Sequence, residues 1–327
     1  MTVDYGIYLM MAWVEPGAPQ PRVRAQPAKN AASHESARFA VALKDLLVYV
    51  DQSERAAGRL RLAADLARRH ESRLTAIFVR ELNPAQLHDQ SAAELGLGSA
   101  QAINRTNRRI RRFIDETAVR LQSALDELGR EHGLEVEWRC LDGIGSILVP
   151  QHARFADLCI LSQDVSVAAT ATGYTFSEQL LFVSGRPVVF VPAHGSFDTL
   201  GQRILVAWNS SRASARAVND ALPLIERAEQ VTVLAVNPEE FAERYSALPP
   251  EQIVQHLRRH GASVQGIWLD NIPAGSITDA VQAEARRAGA DLIVAGAFGH
   301  PRLWEKVMGG VTRELLARMQ LPILMSY

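Results

Sequence analysis

Two pairs of glycines near the end of the chain have a spacing that suits phosphate binding. Gly296 and Gly299 are three residues apart, nine residues follow, and then comes the adjacent pair Gly309 and Gly310. Glycine lets a backbone approach a ligand closely and adopt positive φ, and the first turn of a helix presents unpaired N–H groups to an anion. Such a loop can hold phosphates. The alternative is that the glycines only end a strand and begin a helix, because short glycine patterns are weak signals.

Polar residues near the glycines could add to such a site. His300 follows Gly299 directly; it could meet a phosphate when it is protonated, or it could lie on the loop surface. Thr312 offers a hydroxyl close to the second glycine pair. Ser210 and Ser211 could be nucleophiles, but no Gly-x-Ser-x-Gly turn surrounds them, so helix capping is the favoured interpretation.

Metal and thiol chemistry are not indicated. His256 and His260 are four residues apart on a predicted helix, but residues 257–259 lack the glutamate of a zinc hydrolase, which favours surface histidines. Cys140 and Cys159 lie in apolar runs without a Cys-x-x-Cys spacing, which favours buried, reduced thiols.

The composition is typical of a soluble globular protein. Apolar residues make up 47% and charged residues 22% of the chain, and a net charge of −1 gives no field that would gather nucleic acid or acidic lipid. The predicted helix 101–131 carries many arginines, but acidic residues follow on the same helix, which favours a solvated face. No apolar run approaches the ~20 residues that span a bilayer. We therefore expect a cytoplasmic protein with neither a nucleic-acid nor a membrane partner.

Alternating strands and helices must position the glycine loop. Residues 1–41 contain several prolines and no sustained apolar period, which predicts a disordered leader. Two domains of similar size are expected from the length, a first domain at 42–193 and a second at 202–327. The Pro/Gly/Ser-rich residues 194–201 form the predicted linker.

The second domain repeats the first. The matching segments keep their order along the chain: 46–53 with 204–211, 74–79 with 231–236, 145–147 with 275–277, 156–162 with 290–296, and 185–191 with 320–326. Apolar strands that alternate with helices predict a parallel sheet covered on both faces, and ligands bind beyond the carboxyl ends of such strands. The glycine loop lies at an end of this kind.

The first copy serves as a control for the glycines. Ser162 stands where the second copy has Gly296, and Tyr174 and Thr175 stand roughly where the glycine pair belongs, although Asp51 is retained at the strand end. The first copy keeps the strands without the glycines, so the fold does not require them. This difference favours a ligand site in the second domain.

With this repeat and this loop, the chain resembles the universal stress protein family in its tandem two-domain form. The resemblance implies an α/β fold of two tandem adenine-nucleotide α-hydrolase-like, or Rossmann-like, domains, each with a mostly parallel five-stranded sheet and helices on both faces. It also implies a non-catalytic stress-response protein with ATP as the cofactor. The two domains are expected to pack as an intrachain pseudo-dimer, and a homodimer of the whole chain remains open.

The nucleotide-binding branch of that family carries the loop Gly-x-x-Gly, nine residues, then Gly followed by Ser or Thr. The resemblance therefore implies a set of ligand contacts in the second domain: Asn209 near the ribose, Gly296, Gly299, Gly309, Gly310 and Val311 around the phosphates, and Thr312 and His300 as accessory contacts. Two of these positions depart from the family pattern. Gly310 replaces the Ser or Thr but keeps its backbone donor, and Asn209 replaces an Asp but can still hydrogen-bond a ribose.

Two other functions stay open. One is an interaction or small-ligand-binding stress protein in which the glycine loop is vestigial. The other is an ATP-hydrolysing or adenylating enzyme of the related class, recognisable by a Ser-Gly-Gly-x-Asp-Ser type of loop after the first strand. Neither 51–53 nor 209–211 provides that loop. The expectation is a protein that is not an enzyme, with a weak ATPase activity left open.

Overall fold

The computed structural model describes residues 22–26, 43–81, 100–163, 175–240, 248–297 and 310–327, which form one sheet of 11 strands with flanking helices. The strands are β1 (Arg22–Gln26), β2 (Asp45–Val50), β3 (Arg73–Arg80), β4 (Val136–Asp142), β5 (Leu158–Ser162), β6 (Val188–Val191), β7 (Arg203–Trp208), β8 (Gln230–Val236), β9 (Val264–Asp270), β10 (Leu292–Gly296) and β11 (Ile323–Ser326). The helices are α1 (Ala56–His70), α2 (Ala100–His132), α3 (Gly145–Ala153), α4 (Phe176–Ser184), α5 (Arg212–Asp220), α6 (Leu222–Ile225), α7 (Glu251–Arg259), α8 (Ile277–Arg287) and α9 (Gly310–Ala317), with a 3-10 turn at Ala274–Ser276.

The order of the strands gives the same arrangement twice. The first half contributes β4-β3-β2-β5-β6 and the second half contributes β9-β8-β7-β10-β11, each read from its outer edge to the middle of the sheet. Within each half, all neighbouring strands are parallel. The predicted α/β fold, with five mostly parallel strands in each half and helices on both faces, is confirmed.

Both faces of the sheet are apolar, which is why helices cover both. Along β2, Leu46 and Val48 join one apolar cluster while Leu47, between them, joins another. This alternation is the period of two that a strand imposes on its side chains. Each cluster contains residues from both halves, so the core is continuous across the chain.

The expected disordered leader is wrong for five of its residues. Arg22–Gln26 form β1, which pairs antiparallel with β9 and places Ala25 opposite Ile267. The sequence Arg-Val-Arg-Ala-Gln does alternate polar and apolar residues, but a run this short among prolines gives no sustained period. The other residues of 1–41 lie outside the described part of the chain.

The two halves meet along an antiparallel strand pair. β6 pairs with β11, so that Phe190 lies opposite Ile323. Beside this pair, the rings of Phe182 and Tyr327 meet edge to face, with their centroids 4.8 Å apart. Leu200, in the predicted linker 194–201, is fully buried in the apolar core. The connection between the halves is therefore packed against the core.

A buried histidine lies at this junction. His70 ends α1 and is 1% exposed, and neither of its ring nitrogens has a hydrogen-bond partner among the described residues. The guanidinium of Arg227, from the second half, donates to the carbonyl of Arg69 next to it. Burial above all, and then the charges of Arg227 and Arg69, lower the pKa of His70 to about 4.

This histidine should make the protein less stable in mild acid. The unfolded chain protonates His70 near its ordinary pKa of 6.5, whereas the folded protein does so only near about 4. The stabilisation is therefore complete above the higher value and is lost as the pH falls toward the lower one. The difference corresponds to about 3 kcal/mol of unfolding free energy.

Urea unfolding of the wild type and of His70→Leu, at about pH 7 and about pH 4, measures this effect. We expect the wild type to lose about 3 kcal/mol more than the variant between the two pH values, because only the wild type buries a neutral imidazole. The variant also controls for the other titrating groups, since these are common to both proteins. An equal loss in the two proteins would contradict the role given to His70.

Candidate functional site

The predicted site lies where the strand order of the second half reverses. β7 and β10 are central neighbours, paired through Ala207 and Ala295, and the chain leaves β7 toward β8 on one side and reaches β10 on the other. In open α/β sheets, ligands bind in the crevice beyond the carboxyl ends of such strands. Asn209 follows β7 directly, and Gly296 is the last residue of β10. The structure thus brings these two predicted site residues to the same edge.

Asn209 is exposed and organises the turn that leads into α5. Its Oδ1 accepts a hydrogen bond from the Ser211 N–H at 3.2 Å, while Ser210 adopts a left-handed φ of 58°. The hydroxyl of Ser211 accepts from the Ser214 N–H at 3.1 Å. Ser211 is therefore the N-cap of α5, as the sequence indicates. Among the described residues, Nδ2 of Asn209 has no partner, which leaves a donor available to a ligand.

Gly296 is explained by packing of the second half. A Cβ at this position would lie 2.3 Å from the Ser214 nitrogen and 2.5 Å from the Ala213 carbonyl carbon, both backbone atoms of α5. A side chain is therefore excluded at Gly296 whether or not a ligand binds. The inference that the fold does not require the glycines fails at this position, because the close approach of α5 requires one.

The structure describes α9, the helix after the glycine loop, from Gly310 onward. Gly310 is the first residue of α9 and is exposed, with no atom of the described residues within 4 Å of an added Cβ, and Val311 is half-buried. Thr312 is only 8% exposed and shares the buried face of α9 with Leu315, so it offers a ligand less access than its predicted role needs. The remaining predicted contacts lie outside the described residues: Gly299, His300 and Gly309.

In the first half, the corresponding crevice contains a buried ion pair. The guanidinium of Arg59 lies 3.0 Å from Oδ1 of Asp51, and only 2% of the arginine side chain is exposed. Arg59 also donates to the carbonyl of Tyr49 at 2.9 Å. Oδ2 of Asp51 accepts from the hydroxyl of Ser162 at 3.1 Å, and Oδ1 accepts from the Ser53 N–H at 3.0 Å. Both carboxylate oxygens are therefore engaged within the protein.

The charge of Arg59 keeps this carboxylate ionised. Burial by itself would raise the pKa of Asp51, but the positive charge of Arg59 and the hydrogen bonds from Ser53 and Arg59 outweigh it, so the pKa lies below its ordinary value. A ribose hydroxyl would have to compete with these partners. The first half retains the strand-end aspartate but uses it to hold its own helix and strand together.

Asp51, Ser162 and Arg59 of this first-half cluster are replaced in the second half, whereas Ser53 has a serine, Ser211, as its counterpart. Asn209 corresponds to Asp51, and Gly296 corresponds to Ser162. Ala217 lies eight residues after Asn209 and corresponds to Arg59, which lies eight residues after Asp51. Ala217 is fully buried, so no cation enters the core there. As far as the described residues go, the strand-end crevice of the second half thus lacks the ion pair that occupies its first-half counterpart.

Sequence reasoning did not find Arg59 as the partner of Asp51. The signal was an arginine on the core-facing side of an amphipathic helix, where Ala56, Leu60 and Ala63 are also buried. A buried arginine needs a charge partner. The strand-end carboxylate is the acceptor that the fold brings to it.

The other sequence candidates have structural roles. Cys140 and Cys159 are unpaired, and burial raises the pKa of the Cys159 thiol to about 12, which keeps it protonated and unreactive. Nδ1 of His260 lies 3.2 Å from a carboxylate oxygen of Glu226, and the His256 ring packs against that of His260. Across the described ranges, no cluster of three or more potential metal ligands occurs. No helix within these ranges is both long and apolar enough to span a membrane.

The half of the chain that contains this site is similar to a known family. The model of the universal stress protein family matches residues 201–326, which include β7–β11. A comparison with curated protein sequences gives no match.

Among solved structures, a universal stress protein from Archaeoglobus fulgidus DSM 4304 is 17% identical with a TM-score of 0.59, and the match covers 86% of this chain and 97% of that one. A functionally unknown protein from Pseudomonas aeruginosa PAO1 is 14% identical with a TM-score of 0.51, covering 87% and 92%. At these identities, the two structures share the fold. Residues 201–326 therefore match the universal stress protein family, and the first half that precedes them has the same strand order.

Proposed function

We propose that this chain is a non-catalytic stress-response protein whose second half binds an adenine nucleotide, ATP in the first place, at the carboxyl ends of β7 and β10. The main support for this proposal is the difference between the strand-end residues of the two halves. In the first half, Asp51 is held by Arg59 and Ser162, whereas Asn209 keeps an unpartnered amide donor among the described residues. The second half is also the part that the family model matches.

The N-terminal end of α9, at Gly310, is suited to binding an anion. Gly310 is exposed, an added Cβ would meet no atom of the described residues, and the first turn of α9 contains no acidic residue. The N–H groups of a first helical turn lack intrahelical partners and carry the positive end of the helix dipole. Backbone groups of Gly310, Val311 and Thr312 would therefore face the phosphates, with the glycine loop, including Gly299, Gly309 and His300, completing the site.

The absence of catalysis belongs to the same proposal. Asn209 is neutral where a strand-end carboxylate could act as a general base, so binding without turnover is the expected outcome. We also propose that the two halves act as an intrachain pseudo-dimer, with β6 and β11 in the place of a subunit contact. The proposal puts the protein in the cytoplasm, where ATP and reduced thiols occur together.

Calorimetric titration of the full chain with ATP and Mg²⁺ tests the site. Asn209→Ala should weaken binding about fivefold to tenfold, the equivalent of about 1 kcal/mol for one lost hydrogen bond. Gln52→Ala changes the residue after Asp51 in the first half, and it should leave the affinity unchanged. No heat and no thermal shift at millimolar ATP would remove the nucleotide claim, and an equal loss of affinity in both variants would remove the assignment to the second half.

A further inference from the structure

Gln163, in the first half, caps a helix of the second half. It follows β5, and its Nε2 donates to the carbonyls of Leu316 at 2.7 Å and Ala317 at 3.0 Å, the last two residues of α9. Its Oε1 accepts from the Ala193 N–H at 3.1 Å. The carbonyls of a last helical turn have no intrahelical partners. The amide of Gln163 therefore satisfies two of them and is itself fixed from the other side.

A residue of the second half caps a helix of the first half in the same way. Arg216, on α5, donates from Nη2 to the carbonyl of Gly185 at 3.3 Å, and Gly185 is the C-cap of α4 in the first half. The helices α4 and α9 are themselves linked, since Arg313 lies 3.8 Å from a carboxylate oxygen of Glu178. Each half thus caps the last helix of the other.

A short helix depends on such contacts for its position. α9 has 8 residues, so its two ends are about 12 Å apart, and isolated helices of this length are unstable in water. Within its own half, α9 is held through Glu314, which accepts from the Thr278 hydroxyl at 3.0 Å. Gln163 holds its C-terminal end from the other half. A change at that end is carried through about two helical turns to the N–H groups that begin at Gly310.

We infer that Gln163 is a positioning residue through which the first half sets the affinity of the second-half nucleotide site. The inference rests on the proposed nucleotide function. The neighbouring Ser162 donates to Asp51, so the ion pair of the first-half crevice holds the strand end that carries Gln163. In this inference the first half does not bind the nucleotide itself but sets the affinity of the site in the second half.

The variant Gln163→Leu keeps the size of the side chain and removes its hydrogen bonds. We expect amide hydrogen exchange in 310–317 to become about tenfold faster, while exchange in β5, β6 and β11 stays unchanged. The affinity for ATP with Mg²⁺ should fall about fivefold. Gln163→Lys restores a donor to the α9 carbonyls and should return both values to within about twofold of the wild type.

Arg216→Met is the matched control, because it uncaps α4 instead of α9. It should speed exchange in 176–184 and leave the ATP affinity within about twofold. Unchanged exchange in α9 of Gln163→Leu, or faster exchange with unchanged ATP affinity, would overturn the inference. If the wild type binds no ATP at all, the proposed function fails, whereas the exchange measurement still decides whether Gln163 orders α9.

Discussion

Replacing Arg59 with methionine should lower the free energy of unfolding by about 3 kcal/mol, because it removes the positive charge that offsets the desolvation of the partly buried Asp51 carboxylate. The Arg59 side chain is 2% exposed and its guanidinium lies 3.0 Å from the Asp51 carboxylate, which is 28% exposed. The partial exposure of Asp51 puts the loss at the low end of the range for buried pairs. Urea unfolding followed by circular dichroism at neutral pH measures the change.

The double variant Asp51→Asn/Arg59→Met is the control for this prediction. It should recover most of the lost stability, to within about 1 kcal/mol of the wild type, since replacing both partners by groups that fit is often nearly neutral. The second half already has uncharged residues at both positions, because Asn209 and Ala217 correspond to Asp51 and Arg59. A single variant Arg59→Met as stable as the wild type would show that the ion pair does not hold the first-half crevice closed.

Gly296→Ala should destabilise the protein by about 3 kcal/mol. The new Cβ would lie 2.3 to 2.5 Å from backbone atoms of Ser214 and Ala213, and a helix backbone cannot move aside as a flexible side chain can. The expected result is a lower midpoint of urea unfolding and a displaced α5, with the turn at Asn209 moved along with it. The size of the effect is measured from the unfolding midpoint at an unchanged slope.

Gly310→Ala is the matched control, since within the described part of the chain no atom lies within 4 Å of an added Cβ there. It should be neutral or stabilise the protein by up to about 1 kcal/mol, because alanine favours a helix more than glycine does. Similar unfolding midpoints for Gly296→Ala and Gly310→Ala would contradict the packing explanation of Gly296.

The fold could be read from the sequence because its signals are local and repeated. The apolar run 46–50 and its counterpart 204–208 each predict a buried strand, and the repeat of the order predicts two similar sheets. The structure has these strands as β2 and β7. Ser211 as a helix cap was likewise predictable, since the capping bond to Ser214 spans three residues.

The missed features depend on contacts that are distant in the sequence. Gln163 bonds to a carbonyl 153 residues away, and nothing in its own neighbourhood indicates that partner. The pairing of β6 with β11 is of the same kind. The role of Gly296 was misjudged for a related reason. A repeat shows which residues differ between its copies, but it does not show that the backbone of α5 lies against Gly296, which depends on where α5 begins after Asn209. α5 starts three residues after Asn209, whereas α1 starts five residues after Asp51.

The strongest test of the proposed nucleotide site is a crystal structure of the full chain grown with ATP and Mg²⁺. We expect nucleotide density beyond the carboxyl ends of β7 and β10, with the ribose near Asn209 and the phosphates at the start of α9, and none at the ends of β2 and β5, where Arg59 holds Asp51. Density at the first-half crevice, or none at either crevice at saturating ATP, would contradict it.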